Sequence, residues 1–513
     1  MLLDWLLALA PLLLIVILMV WFHWGAARAG PAGWLAGVAI AIIRFGAGVE
    51  VLARAQTRAF VLALDVLMIV WGAFLLYRVA DQAGAIRALE LALPRLTADR
   101  GMQALLIGWA FASFLQGVGG FGVPVVVTAP LLVGLGFSPL ASVLTSAIGH
   151  SWSVTFGSLA SSFQALISAT GIPGPSLAPH AATLLGLAGL GCGYLVAHVA
   201  GGMSAVRRLA LPVLAIGIVM SAAQYALATH GLWTIAGFGG GMAGLGAGLG
   251  IARLLRRNRT PDSSRPSGPP IVLALTAYMA LIAITLLIQL LPAVRSSLEV
   301  VRLQLPLPGV QTARGFLSPP GTTPAIFFLR HAGATLAYAS LVSYAIYRRA
   351  GLLPPRASGR ILSATLRGVI SPSLSIASMV SLAEVMGHSG MTDALARGLA
   401  EALGALFPLA SPWIGALGAF VSGSNTNSNF LFAGLQARTA ELIGVSLPWV
   451  LAAQTAGGAI GSVVAPTKVV LGVSSAGEMV EEGVVMRHLI PYAAVLIAGL
   501  SLAVFAIVRL TSP

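Results

Sequence analysis

Between positions 424 and 429 the chain reads Ser424-Asn425-Thr426-Asn427-Ser428-Asn429, six hydrogen-bonding side chains in succession within apolar surroundings. Burying such groups unpaired costs on the order of a few kcal/mol each. Capping two helix ends would occupy one or two of them, so a polar substrate, or an ion with its coordination shell, is the simplest user of all six. A second constellation, Gln116-Gly117-Val118-Gly119-Gly120-Phe121-Gly122, offers little side-chain chemistry. Its glycines would let a ligand approach backbone N–H groups at a helix start, where the dipole favours an anion. Close helix packing through small residues is the alternative use. Gly117-x-Gly119-x-x-Gly122 formally satisfies a dinucleotide pattern, but it follows an apolar helix, lies in no βαβ unit and has no acid about 20 residues on to take a ribose.

Isolated ionisable residues inside apolar runs mark function by default, and Asp65, His150, Arg330-His331, Glu384 and Lys468 qualify. Lys468, the one lysine of the chain, suits neutralising a carboxylate; snorkelling to an interface is the alternative. His150, beside Ser151 and Ser153, and Glu384, one helical turn before His388, suit proton movement. Asp65 is a further candidate for it. There is no H-E-x-x-H, Walker A, G-x-S-x-G or Cys/His metal spacing. An enzyme and an ATP-driven pump are thereby disfavoured, and neither cofactor nor metal is expected.

Composition dictates the scaffold that must position these groups. Of 513 residues 58% are hydrophobic and 9% charged, against about 25% charged in soluble domains, which excludes a soluble enzyme and a disordered chain. The expected fold is all-α, a polytopic membrane protein with roughly 11–14 transmembrane helices. The net charge of +14 resides almost entirely in arginine and reports loop topology, not nucleic acid. Arg253–Pro270 and Arg348–Arg360 read as cytoplasmic, as do Arg207 and Arg208, while Pro292–Gly321 reads as external. A lone Cys192 supports no internal disulfide, and the apolar N-terminus reads as a first span.

Two apolar runs, 103–137 and 410–437, are split at their centres by the constellations above. Unwound backbone at membrane depth is tolerated where it is buried in protein or lines a cavity. The splits also match: Phe114-x-x-Gly117 recurs as Phe420-x-x-Gly423, and Gly157-Ser158 as Gly461-Ser462, about 305 residues later. Paired interrupted segments point to two internal repeats, each with a broken or re-entrant helix, and to a substrate near the midplane. The expected organisation is an N-terminal membrane half (1–252), an Arg-rich cytoplasmic linker (253–270) and a C-terminal half (271–513).

The stretch from Gln116, QGVGGFGVPVVVTAPLLVGLGFSPL, with Phe156-Gly157 after it, resembles the lactate permease family; SGSNTNSNFLFAGLQARTAELIGVS and AAQTAGGAIGSVVAP resemble its second and third signatures. The resemblance implies a bacterial inner-membrane permease for a small 2-hydroxymonocarboxylate such as lactate or glycolate, generally in symport with protons, sodium being the other coupling ion considered. It adds Gln454 and Thr455, in the third signature, to the expected substrate site of Gln116, Gly117, Gly119, Gly120, Phe121 and Gly122, Ser424–Asn429 and Lys468. It also implies departures: members usually carry Glu at the position of Gln116, Asp at Asn425, Asn-Thr at Gly149-His150 and Lys at Ser462. Lys468 and His150 are candidate replacements, with proton coupling through His150, Glu384 or Asp65. A passive anion channel or uniporter, and a permease for another organic anion, are the alternative functions; oligomeric state is left open.

Overall fold

The computed structural model describes residues 2–92, 97, 99–120, 122–255, 273, 275–477 and 480–511. Within them eleven helices are long and apolar enough to cross a membrane, with two shorter apolar helices beside them, and strands are confined to three two-residue pairs between 302 and 327. The all-α membrane expectation holds. In chain order come α1 (Leu2–Val20), α2 (Ala26–Ile43), α3 (Val49–Gln82), α4 (Ala85–Ala92), α5 (Arg100–Val118), α6 (Val123–Gly134), α7 (Pro139–Ser151), α8 (Gly157–Thr170) and α9 (Gly174–Arg208). Then follow α10 (Ala210–Thr229), α11 (Trp233–Leu255), α12 (Thr276–Leu290), α13 (Pro292–Ser297) and the stranded segment. The chain ends with α14 (Ala332–Arg349), α15 (Ala357–Ser389), α16 (Met391–Leu403), α17 (Phe407–Ser422), α18 (Asn425–Ile443), α19 (Leu447–Val464), α20 (Pro466–Ser475) and α21 (Glu482–Thr511). Of the expected linker, 256–270 lies outside the described residues.

The succession α2 to α9 recurs as α14 to α21, with α14 starting 306 residues after α2. The two copies run in opposite directions. Arg58, near the start of α3, pairs with Glu384, near the end of α15, at 2.7 Å. Gly46, just past the end of α2, accepts a bond from Ala313 N–H at 2.8 Å, so α2 ends at the stranded segment from which α14 departs. The repeats are inverted. Arg207, Arg208, Arg348, Arg349 and Arg356 fall at the opposite face, which the positive-inside rule makes cytoplasmic, leaving the stranded segment outside.

Each repeat contains a re-entrant hairpin. In the first, α5 enters and α6 returns to the same face, where the Arg100 guanidinium donates to the Gly136 carbonyl. Asp99 caps α5 by accepting from Met102 N–H at 2.9 Å and pairs with Arg208. Burial pushes the Asp99 carboxyl up, but the bonds from Arg208 and Met102 outweigh this and hold it below its usual value. In the second, α17 and α18 enter from the outer face, and Arg438 of α18 holds Asp393 of α16 at 2.7 Å. Local sequence fixes both tips. Gly122 (φ +93°) and Gly423 (φ +69°) take left-handed turns closed to most residues, Pro124 follows the first, and Ser424 caps α18 by accepting from Asn427 N–H at 3.4 Å. α5 is buried along its whole length and α19 along most of it. Such depth is reached by direct backbone packing, as where Gly461 of α19 lies on the Ala416 backbone of α17.

Three features differ from the sequence expectation. The second tip is narrower, only Gly423-Ser424, because Asn425–Asn429 form the first turns of α18. The apolar stretches 139–168 and 448–473, whose sequences carry no comparable split, are both interrupted. In the second, Pro466 removes a donor and turns Ala465 to ψ 136°, ending α19. In the first, α7 stops at Ser151, and Ser158, Leu159 and Ala160 are left-handed (φ 45°, 56° and 64°) with no glycine among them. Tertiary contacts, not local propensity, hold that break.

Candidate functional site

The two tips reach the broken helix of the first repeat from opposite faces. From α5, the Gln116 side chain lies on Gly157, where an added Cβ would stand 2.6 Å from Gln116 Nε2. From α18, Asn425 Nδ2 donates to Thr155 Oγ1 at 3.1 Å and to the Thr455 carbonyl of α19 at 3.1 Å. One amide from each hairpin therefore touches the break, two residues apart. Both keep an unpartnered buried oxygen, Gln116 Oε1 and Asn425 Oδ1, and Asn427 Oδ1 is a third. Because α6 and α18 both begin at the tips, two helix N-termini point toward this region, an arrangement that favours a negative charge.

The rest of the polar run meets mainly protein. Thr426 Oγ1 contacts Ser162 Oγ at 3.0 Å, Asn427 Nδ2 donates to Ser375 Oγ at 2.7 Å, Ser428 Oγ donates to the Gly415 carbonyl at 2.7 Å, and Asn429 Nδ2 donates to the Ser162 carbonyl at 2.8 Å and to Thr455 Oγ1 at 2.9 Å. Gln454 donates to Ser428 Oγ at 3.0 Å and accepts from Gln436. Most of the six groups thus fasten α18 to α8, α15, α17 and α19. Thr155, Ser162 and Ser375, the partners that sequence reasoning missed, sit in apolar runs as ordinary small polar residues; Ser153, Thr155 and the Phe156-Gly157 pair were the available signal.

The glycines divide by role. Gly117 lies on the Phe238 backbone of α11, a packing use, whereas Gly120 (φ +56°) lies against Ser158 of the break. A Cβ on Gly119 would stand 3.3 Å from the Tyr77 ring, and one on Gly122 would stand 2.8 Å from Leu471 of α20. Phe121 lies outside the described residues.

The ionisable candidates separate into three places. His150, fully buried in α7, contacts the Ser146 carbonyl through Nδ1 at 2.7 Å, and its Nε2 has no partner. Lys468, at the start of α20, lies within electrostatic reach of it and donates to Ser462 Oγ at 3.1 Å. Glu384 is held by Arg58 at 2.7 Å and His388 at 3.3 Å on α3 and α15, and bonds to no tip residue among the described residues. Asp65 of α3 accepts from His331 Nε2 at 3.0 Å, Gln164 Nε2 at 2.8 Å and Ser168 Oγ at 2.9 Å. Among the described residues no three His, Cys, Asp or Glu side chains gather as metal ligands would.

Inverted repeats whose hairpin tips meet a broken helix within a many-helix membrane body define a transporter. A family model described as L-lactate permease matches residues 4–511. The chain belongs to that family. The glycolate permease GlcA of Escherichia coli (strain K12) is 26% identical over 95% of this chain and 92% of its own length. An L-lactate permease of Bacillus subtilis (strain 168) is also 26% identical, over 92% and 91% respectively. The crystal structure of the Alcanivorax borkumensis YdaH transporter aligns over 91% of this chain and 88% of its own, with TM-score 0.46 and 16% identity. Lys468 brings its ammonium to Ser462, the position at which the resemblance leads one to expect a lysine.

Proposed function

We propose that this protein is a secondary active transporter carrying a small organic monocarboxylate, such as lactate or glycolate, across the bacterial inner membrane in symport with protons. The observation that carries the reading is the meeting of Gln116 and Asn425, each with an unpartnered oxygen, at the break between Thr155 and Gly157. A substrate hydroxyl donates to such oxygens, and a carboxylate is favoured by the two helix starts at the tips. Backbone at Gly119, Gly120 and Gly122 and the groups at 424–429, Gln454 and Thr455 shape the site, and Lys468 balances the charge. His150, Asp65 and Glu384 are the titratable groups for the proton: the first has a free ring nitrogen, the second borders an open pocket, and the third is neutralised by Arg58. The halves 1–252 and 271–513 each supply one repeat, joined through the basic linker 253–270.

Uptake of lactate, glycolate, pyruvate, acetate and a dicarboxylate into proteoliposomes tests this reading, with internal pH followed in parallel. The expected result is uptake of a 2-hydroxymonocarboxylate with proton entry, reduced at least tenfold by Asn425→Leu. Uptake unchanged in that variant removes the site; uptake without proton movement makes the protein a uniporter.

A further inference from the structure

A pocket of about 500 Å³ leads inward from the external face. Arg295, Phe327 and Arg330 stand at its rim, and Leu159 and Ala160, the left-handed residues of the broken helix, line its depth. Asp65 is the one carboxylate among its lining residues. Its partners are arranged asymmetrically, with His331 on Oδ1 and both Gln164 and Ser168 on Oδ2. His331 also caps α14: its Nδ1 accepts from Gly333 N–H at 3.1 Å. Accepting there requires an unprotonated Nδ1, so the ring is the Nε2–H tautomer and donates to Asp65. Adding a proton to His331 would break that cap. Adding one to Asp65 Oδ2 requires only that the Ser168 hydroxyl turn from donor to acceptor.

We propose that Asp65, steadied by His331, is the site at which water entering from outside loads the proton that accompanies the substrate; this rests on the transport reading above. One O–H bond of a hydronium breaks as one forms on Oδ2, leaving water; the carboxylate loses its charge, and the proton passes back to water when the group next meets the inner side. The neutral polar groups that hold Asp65 are Gln164 and Ser168 on α8, and those that line the pocket with it are Thr234 on α11, Thr285 and Gln289 on α12, and Thr335 on α14. His331 meets it as the neutral Nε2–H tautomer, and the charged groups, at the rim, are Arg330 and Arg295, which pair with Glu299 at 2.8 and 3.7 Å. Coupling needs only α8. Its Gln164 and Ser168 hold Asp65, while Ser162, two residues before Gln164, contacts Thr426 and Asn429 of the second hairpin. Loss of charge at Asp65 weakens the grip on the helix that positions the substrate site.

The full-length protein in proteoliposomes tests this with lactate and glycolate as probes. Under an inward proton gradient, Asp65→Asn should lower accumulation at least tenfold while counterflow at equal pH falls no more than threefold. A gradient response in Asp65→Asn equal to that of the unsubstituted protein overturns the proposal, as does loss of counterflow in step with accumulation. Infrared pH-difference spectra taken without any organic anion should show a protonated-carboxyl band that Asp65→Asn removes; a band that survives the substitution also overturns it. If that band behaves as expected but no carboxylate is carried, the transport reading falls and the proton site stands.

Discussion

The turn Ser158-Leu159-Ala160 holds three consecutive side-chain-bearing residues at φ 45°, 56° and 64°. A left-handed conformation costs such a residue about 1–2 kcal/mol, so the turn stores roughly 3–6 kcal/mol. Ser158 is the cleanest place to read this, because its side chain is small, buried and makes no hydrogen bond among the described residues. Replacing it with glycine recovers about 1–2 kcal/mol of strain and gives back about 0.5–1 kcal/mol to the greater freedom of the unfolded chain. Ser158→Gly should therefore stabilise the protein by about 0.5–1 kcal/mol. Ser158→Val retains the strain and adds a second Cβ branch beside Gly120, and should destabilise by about 2–3 kcal/mol. Reversible unfolding in mixed micelles, with the two variants and the parent at one pH, should separate them by about 3 kcal/mol in total. A glycine variant less stable than the parent by 1 kcal/mol or more, or a valine variant within about 0.5 kcal/mol of it, would show that the turn is not strained in the way its dihedrals imply.

Two further outcomes follow from other parts of the fold. A Cβ at Gly461 would stand 2.5 Å from Ala416 Cα and 2.7 Å from its carbonyl carbon, both backbone, so Gly461→Ala should cost about 1–3 kcal/mol; Gly483→Ala, with open space around it, should be neutral or slightly stabilising in the same melts. Asp99 has its carboxyl held below the usual value by Arg208 and Met102 N–H despite burial. Its contribution is thus fully present above the unfolded carboxylate range and is lost as pH falls through the lower folded value. Hydrogen exchange at the base of the first hairpin should accelerate there, and Asp99→Asn should abolish that pH dependence.

Much of this architecture was legible in the chain because membrane burial writes strong signals. Spans followed from apolar length, and hairpin tips from glycine and amide runs where no ordinary span would carry them. The pairing of tips followed from the Phe-x-x-Gly match at 114 and 420. Repeat direction was not legible, since it depends on counting crossings through re-entrant segments that look like spans; the Arg58–Glu384 and Gly46–Ala313 contacts decide it. Nor was the 158–160 turn legible, because a left-handed path imposed by neighbours leaves no glycine behind. The run 424–429 was legible as unusual but not in its use. Its side chains mostly grip Thr155, Ser162, Ser375 and Thr455, residues too ordinary to stand out in a sequence.

Arginine is distributed unequally in a way that bears on the fate of an anion. On the outer face Arg44 and Arg314 share Asp4, Arg58 meets Glu384, Arg330 meets Glu299, and Arg397 and Arg438 meet Asp393. At the inner face Arg208 meets Asp99 and Arg78 meets Asp81, whereas Arg207, Arg348, Arg349 and Arg356 have no carboxylate partner among the described residues. An inside-negative membrane potential opposes entry of a monovalent anion by about 2.3 kcal/mol per 100 mV. The uncompensated inner charge acts against that opposition at short range, within a Debye length of about 10 Å. If the carried group is an organic anion, as proposed above, this charge raises its concentration at the cytoplasmic mouth beside the protein.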